Sequence, residues 1–311
     1  MDKIVSFESV SKVYRRGFKG TMVNAVTDFS ASVTAEKITG FVGPNGAGKT
    51  TSIKMLMGLV KPTSGAVTIR GIDSSSPRAR QDVSYVSEQP YFYRHLSVKE
   101  ALRFSCDLLK FDKAKTRNEI ERVLEIVALT GKENTRIHSM SKGMMQRLNM
   151  ANGLLGDPHL LLLDEPMSGL DPPARRLFRN LFIRLGKEGK TIFFSTHVLE
   201  DIEMVCDEVI VMNQGRLRYC GEVSVLLEKG YLGTELITPT IPPEVVEKLT
   251  ARGWTVSHNQ DHTCRVFVPQ GDDATECQRT LAQHAVFSIS ITRRTMPLET
   301  LLYGSSTETS S

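Results

Sequence analysis

The sequence predicts an α/β fold in which helices cover a mainly parallel sheet, followed by a smaller α+β module. Short apolar runs alternate with stretches of helical periodicity up to about residue 229, which is the pattern of strand–helix–strand units. Two of these runs, Ile38–Val42 and Leu160–Leu163, are largely or wholly apolar, as expected of strands buried on both faces. We therefore expect a first domain at residues 1–229.

The helical periodicity also predicts an insert within this domain. Ile120, Val123, Leu124 and Val127 share one helical face with charged residues opposite, and we place a helical insert at about residues 90–158. The pattern changes around residues 230–233. The segment 230–303 then follows a strand–helix–strand–strand–helix–strand order, with the last strand at Phe287–Ile291, and this order predicts a small α+β accessory domain of the split βαβ type. The Ser/Thr-rich tail 304–311 is expected to be disordered.

Composition limits the classes of protein that fit. The chain has 311 residues, of which 40% are hydrophobic and 24% charged, and its net charge of +4 is too small to indicate nucleic acid or anionic lipid as a partner. No apolar run approaches the ~20 residues of a membrane span, and the N-terminus lacks the pattern of a signal peptide. The five cysteines are scattered without a Cys-x-x-Cys pair, which favours reduced cytosolic thiols over zinc or disulfides.

A glycine-rich segment follows the first buried strand. Its spacing, Gly-x-x-x-x-Gly-Lys-Thr at residues 43–50, is that of a phosphate-binding loop, and apolar residues at helical spacing follow it. The phosphates would lie at a helix N-terminus, with Lys49 near the β- and γ-phosphates and the Thr50 hydroxyl on Mg²⁺. The candidate nucleotide-binding residues are Gly43, Pro44, Asn45, Gly46, Ala47, Gly48, Lys49, Thr50 and Thr51.

Two carboxylates follow the second buried strand. Asp164 is suited to holding Mg²⁺ through its hydration shell, and Glu165 is suited to polarising the water that attacks a γ-phosphate. His197 follows the next strand, one strand–helix–strand step later, so it could reach the same phosphate. Further upstream, Ser141 stands where a helix N-cap would be, ahead of the apolar helix 148–155. No Glu or Gln occupies the third helical position to form a capping box, so backbone N–H groups of the first turn remain available to bind an anion.

Together these segments resemble the nucleotide-binding subunit of ABC transporters over the first two-thirds of the chain. The predicted fold is then a P-loop NTPase of the ABC type, with a helical signature subdomain and the small α+β C-terminal module. The resemblance makes residues 43–50 the Walker A motif, 160–164 the Walker B motif and Glu165 the catalytic glutamate. Its other implied assignments are the switch histidine His197, the D-loop 168–171 with Asp171, the signature 141–147, and the adenine-stacking aromatic Tyr14.

The resemblance also implies partners. ABC subunits form a head-to-tail homodimer or heterodimer with two ATPs and Mg²⁺ in the interface, each ATP lying between one Walker A and the other subunit's Ser141 and Gly143. The Ser-Lys-Gly-Met signature and the C-terminal module are most similar to ATPases of type-2 ABC exporters, which work with a separate integral membrane permease. The implied location is cytoplasmic, peripheral on the inner face of the cell membrane, with no specific nucleic acid expected.

This sequence departs from the family pattern at two places. The usual Leu-Ser-Gly-Gly-Gln signature has Lys142 and Met144 in place of the first Gly and the Gln. In the Q-loop, the register set by the flanking residues puts Glu88 at the usual glutamine position, with Gln89 beside it, and either residue could serve.

The alternative function is that of a soluble ABC-type ATPase that acts on nucleic acid or ribosomes. Chromosome-organising members of the family carry a long coiled coil between the Walker A and the signature, translation factors carry two Walker A motifs, and repair enzymes carry zinc modules. This chain has a short interval, one Walker A motif and unpaired cysteines. A regulatory protein without hydrolysis would be expected to lack Lys49, Asp164, Glu165 or His197, and all four are present.

Overall fold

The computed structural model describes residues 2–16, 21–259 and 261–303. The tail 304–311, for which the sequence predicts disorder, lies outside the described residues. The chain divides into two compact units, Met1–Val223 and Ser224–Ser311. The division falls at the first residue of helix α7 (Val223–Lys229).

The first unit contains two sheets and six helices in its described part. Its strands are β1 (Lys3–Arg16), β2 (Thr21–Thr34), β3 (Ile38–Val42), β4 (Ser64–Ile69), β5 (Ile72–Asp73), β6 (Val83–Val86), β7 (Leu160–Leu163), β8 (Thr191–Thr196), β9 (Glu208–Asn213) and β10 (Arg216–Glu222). Its helices are α1 (Lys49–Leu56), α2 (Val98–Leu108), α3 (Lys113–Ile126), α4 (Lys142–Gly153), α5 (Pro172–Lys187) and α6 (Leu199–Val205).

The main sheet has the order β10-β9-β3-β8-β7-β6. Its neighbours pair in parallel except for β9 and β10, so the predicted mainly parallel sheet is confirmed. Strands β3 and β7 have the bounds expected from the sequence, and every residue in both is buried. Because β3, β7 and β8 lie side by side and run in one direction, the segments that follow them meet at the same edge of the sheet.

An antiparallel sheet of order β2-β1-β4-β5 packs beside the main sheet. The sequence patterns described above do not predict this sheet. Its long strands β1 and β2 bury only part of their residues, so they lack the continuous apolar runs that mark the central strands. The two sheets share a core in which Phe29 lies 5.9 Å from Phe41, ring centroid to centroid, and Phe41 stacks at 5.2 Å on Phe193.

Helices α2, α3 and α4 lie between β6 and β7 in sequence, where the helical insert was expected. The α2 N-terminus carries a complete capping box: Ser97 accepts from the Glu100 backbone, and the Glu100 carboxylate accepts from the Ser97 backbone. In α3, Ile120, Val123 and Leu124 are buried, as their spacing predicts.

The second unit is a split βαβ module. Strands β11 (Tyr231–Thr238), β12 (Thr255–His258), β13 (Cys264–Pro269) and β14 (Ser290–Thr295) form an antiparallel sheet of order β12-β13-β11-β14, with helices α8 (Pro243–Ala251) and α9 (Ala274–Gln283). This topology confirms the predicted order of elements. The last strand begins at residue 290 rather than 287, because an exposed edge strand that includes Arg293 and Arg294 has no apolar pattern to mark it. A short helix α10 (Leu298–Tyr303) follows.

None of the described helices combines the length and the apolar character that crossing a membrane requires.

Candidate active site

The loop between β3 and α1 wraps a concave surface. Helix α1 has Gly48 at its N-cap position, and no side chain caps it. The first turn of α1 therefore offers backbone N–H groups and the positive end of the helix dipole to an anion. The loop fits tightly against its surroundings, since a Cβ on Gly43 would lie 2.2 Å from the Met212 carbonyl oxygen.

Replacing Gly48 with Ala tests how strictly this loop needs glycine. Gly48 has φ +109°, and an added Cβ would lie 2.5 Å from the Ala25 carbonyl oxygen. Gly46 also has positive φ (+79°), but its Cβ would meet nothing within 4 Å. We expect Gly48→Ala to lower the free energy of unfolding by about 1–3 kcal/mol more than the matched Gly46→Ala variant. Urea unfolding without nucleotide measures both, and equal losses would refute the steric account of Gly48.

Lys49 is held in the loop by the loop itself. Its side chain is 6% exposed, and its Nζ donates to the carbonyl oxygens of Gly43 (2.6 Å) and Pro44 (3.3 Å). The same Nζ lies 3.5 Å from Oε1 of Glu165. The ammonium is thus fixed between the phosphate loop and the acidic segment that follows β7, where it can meet a bound phosphate.

Asp164 and Thr50 meet at the centre of the site. The Thr50 hydroxyl donates to Oδ1 of Asp164 at 3.2 Å, although the two residues lie on different elements. The Ser195 hydroxyl, at the end of β8, donates to the same oxygen at 2.6 Å. A hydroxyl and a buried carboxylate in contact supply the hard oxygen ligands that Mg²⁺ prefers.

Glu165 has an unusual backbone conformation. Its φ is +46°, in the left-handed region that costs a non-glycine residue of order 1–3 kcal/mol. Its N–H donates to the Ser195 hydroxyl at 2.9 Å, and its Oε2 lies 2.9 Å from Nδ1 of His197. Such outliers persist where surrounding contacts over-determine them, and they cluster at functional sites. His197 itself is half exposed, with its ring at the mouth of the site.

The two Q-loop candidates differ in the cavities that they line. Glu88 lines the phosphate-loop cavity and also a neighbouring cavity that contains Ser141 and Lys142, whereas Gln89 lines the neighbouring cavity but not the phosphate-loop cavity. Burial, reinforced by the negative charges of Asp164 and Glu88, raises the pKa of Tyr85 to about 12. Glu88 thus adds a carboxylate to the same cavity that Glu165 lines.

The signature segment begins helix α4. Ser141 caps that helix, since its hydroxyl accepts from the Met144 N–H at 3.2 Å. Gly143 has open space where a Cβ would project, with Leu170 4.0 Å away. Lys142 extends over the D-loop, because a Cβ on Gly169 would lie 1.9 Å from its Nζ.

The remaining predicted residues are Asp171 in the D-loop and Tyr14 on β1. Asp171 caps α5 through the Ala174 N–H at 3.0 Å. Tyr14 lies on β1 opposite Val23 of β2 and is 38% exposed. It is absent from the described residues that line the phosphate-loop cavity, although β2 contributes Ala25 to that cavity.

One cavity of about 280 Å³ collects most of the predicted residues. Its described lining residues are Ala25, Asn45, Gly46, Ala47, Gly48, Lys49, Thr50, Thr51, Glu88, Glu165, Ser168 and His197. The predicted residues that are not among them are Tyr14, Gly43, Pro44, Gln89, Ser141, Gly143, Asp164 and Asp171. Asp164 reaches the site through its contact with Thr50. The structure therefore brings the phosphate loop, the acidic strand end and the histidine together, and the signature serine lines a neighbouring cavity instead.

Sequence reasoning missed several residues that shape this site. Ser195 joins Asp164 to Glu165, as described above. Gln146 donates to the Pro166 carbonyl at 3.0 Å, and Asn149 donates to the Ser87 carbonyl at 2.9 Å. Helix α4 is thereby tied both to the loop after Glu165 and to the Q-loop. The sequence carries a signal for Ser195, which lies at a strand end two residues before His197, and for Gln146, which lies within the predicted signature 141–147.

Comparison with known proteins places this geometry in a family. A family model described as "ABC transporter" matches residues 26–168. An ABC transporter ATP-binding protein of Nostoc sp. is 37% identical over 227 residues, covering 72% of this chain and 68% of that protein. The chain belongs to the family of ABC transporter ATP-binding proteins. The bacitracin transport ATP-binding protein BcrA of Bacillus licheniformis is 38% identical over 220 residues, covering 70% of this chain and 69% of BcrA.

A solved structure agrees with this family. The structure of cbiO1 from Clostridium perfringens, described as part of the ABC transporter complex cbiONQ, matches with a TM-score of 0.64 and 26% identity. It covers 81% of this chain and 96% of cbiO1. As an ABC transporter ATP-binding subunit, the chain binds ATP and is an ATPase whose hydrolysis is coupled to transport.

Proposed function

We propose that this subunit hydrolyses ATP with Glu165 as general base and powers an exporter through a separate membrane-spanning permease. The observation that carries the proposal is the meeting of Lys49 and Thr50 with Asp164 and Glu165 at one edge of the sheet. This arrangement provides for phosphate binding and for water activation within one cavity. The relative BcrA is named for bacitracin transport, which supports a role in transport.

The phosphate loop performs the binding step. The N–H groups at the start of α1 and the Lys49 ammonium neutralise charge on the β- and γ-phosphates. When phosphate binds, Lys49 exchanges part of its contact with the loop carbonyls for contact with phosphate oxygens. Because its side chain is already held in place, this exchange loses little conformational entropy.

The residues present fit a magnesium ion. The Thr50 hydroxyl and the Asp164 carboxylate would hold Mg²⁺, which supplies positive charge against the phosphate oxygens. Among the described residues no cluster of three or more His, Cys, Asp and Glu could form an all-protein metal cage. A Mg²⁺ ion that keeps waters and phosphate oxygens as ligands does not need one.

Glu165 and His197 perform the chemical step. The Glu165 carboxylate accepts the proton of the water that attacks the γ-phosphate, and the phosphoryl group leaves ADP in line. In the structure His197 holds one carboxylate oxygen and Lys49 lies near the other. These contacts orient the base before water arrives. We propose that His197, which lines the cavity and is half exposed, contacts the γ-phosphate.

A second subunit completes each site. The signature residues Ser141 and Gly143 are not among the described residues that line the phosphate-loop cavity of their own chain. We propose that they contact ATP bound to the partner of a homodimer or heterodimer, with Asp171 and the rest of the D-loop beside them. Tyr14 is proposed to stack on adenine, and Glu88 is assigned the Q-loop role because it faces the cavity.

The helical insert offers a surface for the permease. Tyr91 and Tyr93 are 89% and 52% exposed, and Phe104 on α2 is 48% exposed. The Tyr93 ring lies 6.4 Å from Tyr91 and 6.1 Å from Phe104, centroid to centroid, so the three form one aromatic cluster. Exposed aromatic clusters are enriched at protein interfaces. Tyr91 and Tyr93 lie a few residues after Glu88 in the chain, so the cluster connects the docking surface to the ATP site. Docking there would hold the subunit at the inner face of the cell membrane.

Substituting the cluster tests the docking surface. We expect Tyr91→Ser combined with Tyr93→Ser to change the free energy of unfolding by less than about 0.5 kcal/mol. Co-purification of the permease should nevertheless fall by about tenfold or more, because central aromatic residues carry much of an interface's energy. The control is Phe287→Ser, a 68% exposed aromatic residue of the second unit. If the double variant recovers as much permease as Phe287→Ser does, the cluster is not part of the interface.

The permease itself is identified by affinity purification. Tagged Glu165→Gln protein is purified from detergent-solubilised membranes, and the co-purifying proteins are identified by mass spectrometry. A stoichiometric multi-span membrane protein supports the proposal. Recovery only from the soluble fraction, attached to ribosomes or nucleic acid, would instead support a non-transport ATPase.

A further inference from the structure

Ser195 lies at the end of β8 with no exposed surface. Strands β7 and β8 pair in parallel, with Leu163 opposite Phe194, so Ser195 is beside the two carboxylates that follow β7. None of the roles assigned above uses its side chain directly on ATP.

The Ser195 hydroxyl makes two hydrogen bonds in opposite senses. It accepts from the Glu165 N–H at 2.9 Å and donates to Oδ1 of Asp164 at 2.6 Å. The second distance is typical of a strong hydroxyl–carboxylate bond. The Thr50 hydroxyl donates to the same Asp164 oxygen, at 3.2 Å. One buried hydroxyl therefore connects the metal-side carboxylate with the backbone of the general base.

Both bonds act on groups that need support. Glu165 is in the left-handed conformation, and its buried N–H would be left without this acceptor if the hydroxyl were lost, at a cost of about 1–3 kcal/mol. Asp164 is 2% exposed, so the Ser195 hydroxyl is one of the groups that replace water around it. An Ala side chain at this position could make neither the bond with the Glu165 N–H nor the bond with the Asp164 carboxylate.

We propose that Ser195 is a positioning residue that orients the Asp164 carboxylate for Mg²⁺ and fixes the Glu165 backbone. It acts through its neighbours and does not touch ATP. This inference rests on the magnesium site of the proposed function. It adds a residue that hydrogen-bonds the proposed Mg²⁺ ligand Asp164. Residues of this kind are commonly worth about 10–100-fold in metal affinity.

The test measures metal binding without turnover. A fluorescent, non-hydrolysable ATP analogue (methylanthraniloyl-AMPPNP) is bound first in EDTA and then titrated with Mg²⁺, for wild type, Ser195→Ala and Ser195→Cys. The matched control is Ser74→Ala, which also removes a buried hydroxyl, one that donates to the Met55 carbonyl at 2.8 Å. We expect unchanged affinity in EDTA for all four proteins. The Mg²⁺ concentration at half-saturation should rise about 10–100-fold in Ser195→Ala and less in Ser195→Cys, whose thiol is a weak donor.

The outcomes separate this inference from the proposed function. Half-saturation in both Ser195 variants within about twofold of the Ser74→Ala value, well below the expected 10–100-fold change, would overturn the positioning role while leaving the ATPase assignment intact. A wild-type signal that does not respond to Mg²⁺ would overturn both. If Ser195→Ala fails to fold, the near-isosteric Ser195→Cys variant decides the question, with the same direction of change expected.

Discussion

The Glu165→Gln variant is expected to bind ATP normally and to hydrolyse it about 10²–10⁴-fold more slowly, which corresponds to about 3–5 kcal/mol of lost transition-state stabilisation. Gln keeps the size of the side chain and its contact with His197 but cannot accept a proton from water. The left-handed backbone is expected to persist, because the Ser195 hydroxyl still accepts from the residue's N–H.

Phosphate release under saturating ATP and Mg²⁺ measures the effect. The control is Glu188→Gln, which makes the same chemical change at an exposed residue. Glu188 is the C-cap of α5 and precedes β8, so it lies at the opposite end of that strand from the site. Its rate should match wild type. A Glu165→Gln rate equal to that of the control would show that another group activates the water.

Replacing Lys49 with Ala is expected to weaken ATP binding itself. The ammonium is buried and paired, and truncating such a charge costs about 2–5 kcal/mol. The predicted loss of affinity is therefore roughly 30-fold to several-thousand-fold. Glu165 also loses a nearby positive charge, so hydrolysis should fall along with binding.

Equilibrium titration of the fluorescent ATP analogue measures this loss. Lys54→Ala is the matched control, since Lys54 lies on the same helix but is exposed. Its affinity should stay close to that of wild type. Normal affinity in Lys49→Ala would mean that the nucleotide binds elsewhere, and the whole interpretation of the phosphate loop would fail.

Much of this site could be predicted because its residues are local to strands that the sequence marks clearly. The apolar run before Gly43 and the one before Asp164 define two parallel strands that flank β8, and parallel strands bring their carboxyl ends to one edge. The meeting of Lys49, Glu165 and His197 follows from that rule. The order of elements in the C-terminal module was also predictable, since turns and helix caps mark its boundaries except those of the last strand.

The details that escaped prediction depend on contacts between residues far apart in the chain. The bonds of Ser195 and Asn149 join different elements, and no spacing rule encodes them. The choice between Glu88 and Gln89 depends on a loop without periodicity, where one residue of register changes the surface that a side chain faces. The left-handed backbone of Glu165 is likewise set by its surroundings, because Glu has no preference for that region.

ATP-dependent association tests the central claim most directly. Sedimentation velocity of Glu165→Gln protein is measured without nucleotide and with ATP and Mg²⁺, and repeated with Lys49→Ala added to the same chain. The account predicts a monomer without nucleotide, a dimer with ATP, and a monomer in both conditions once Lys49 is lost. A sedimentation coefficient that ATP leaves unchanged in the Glu165→Gln protein would contradict the proposal that the signature of one subunit completes the ATP site of another.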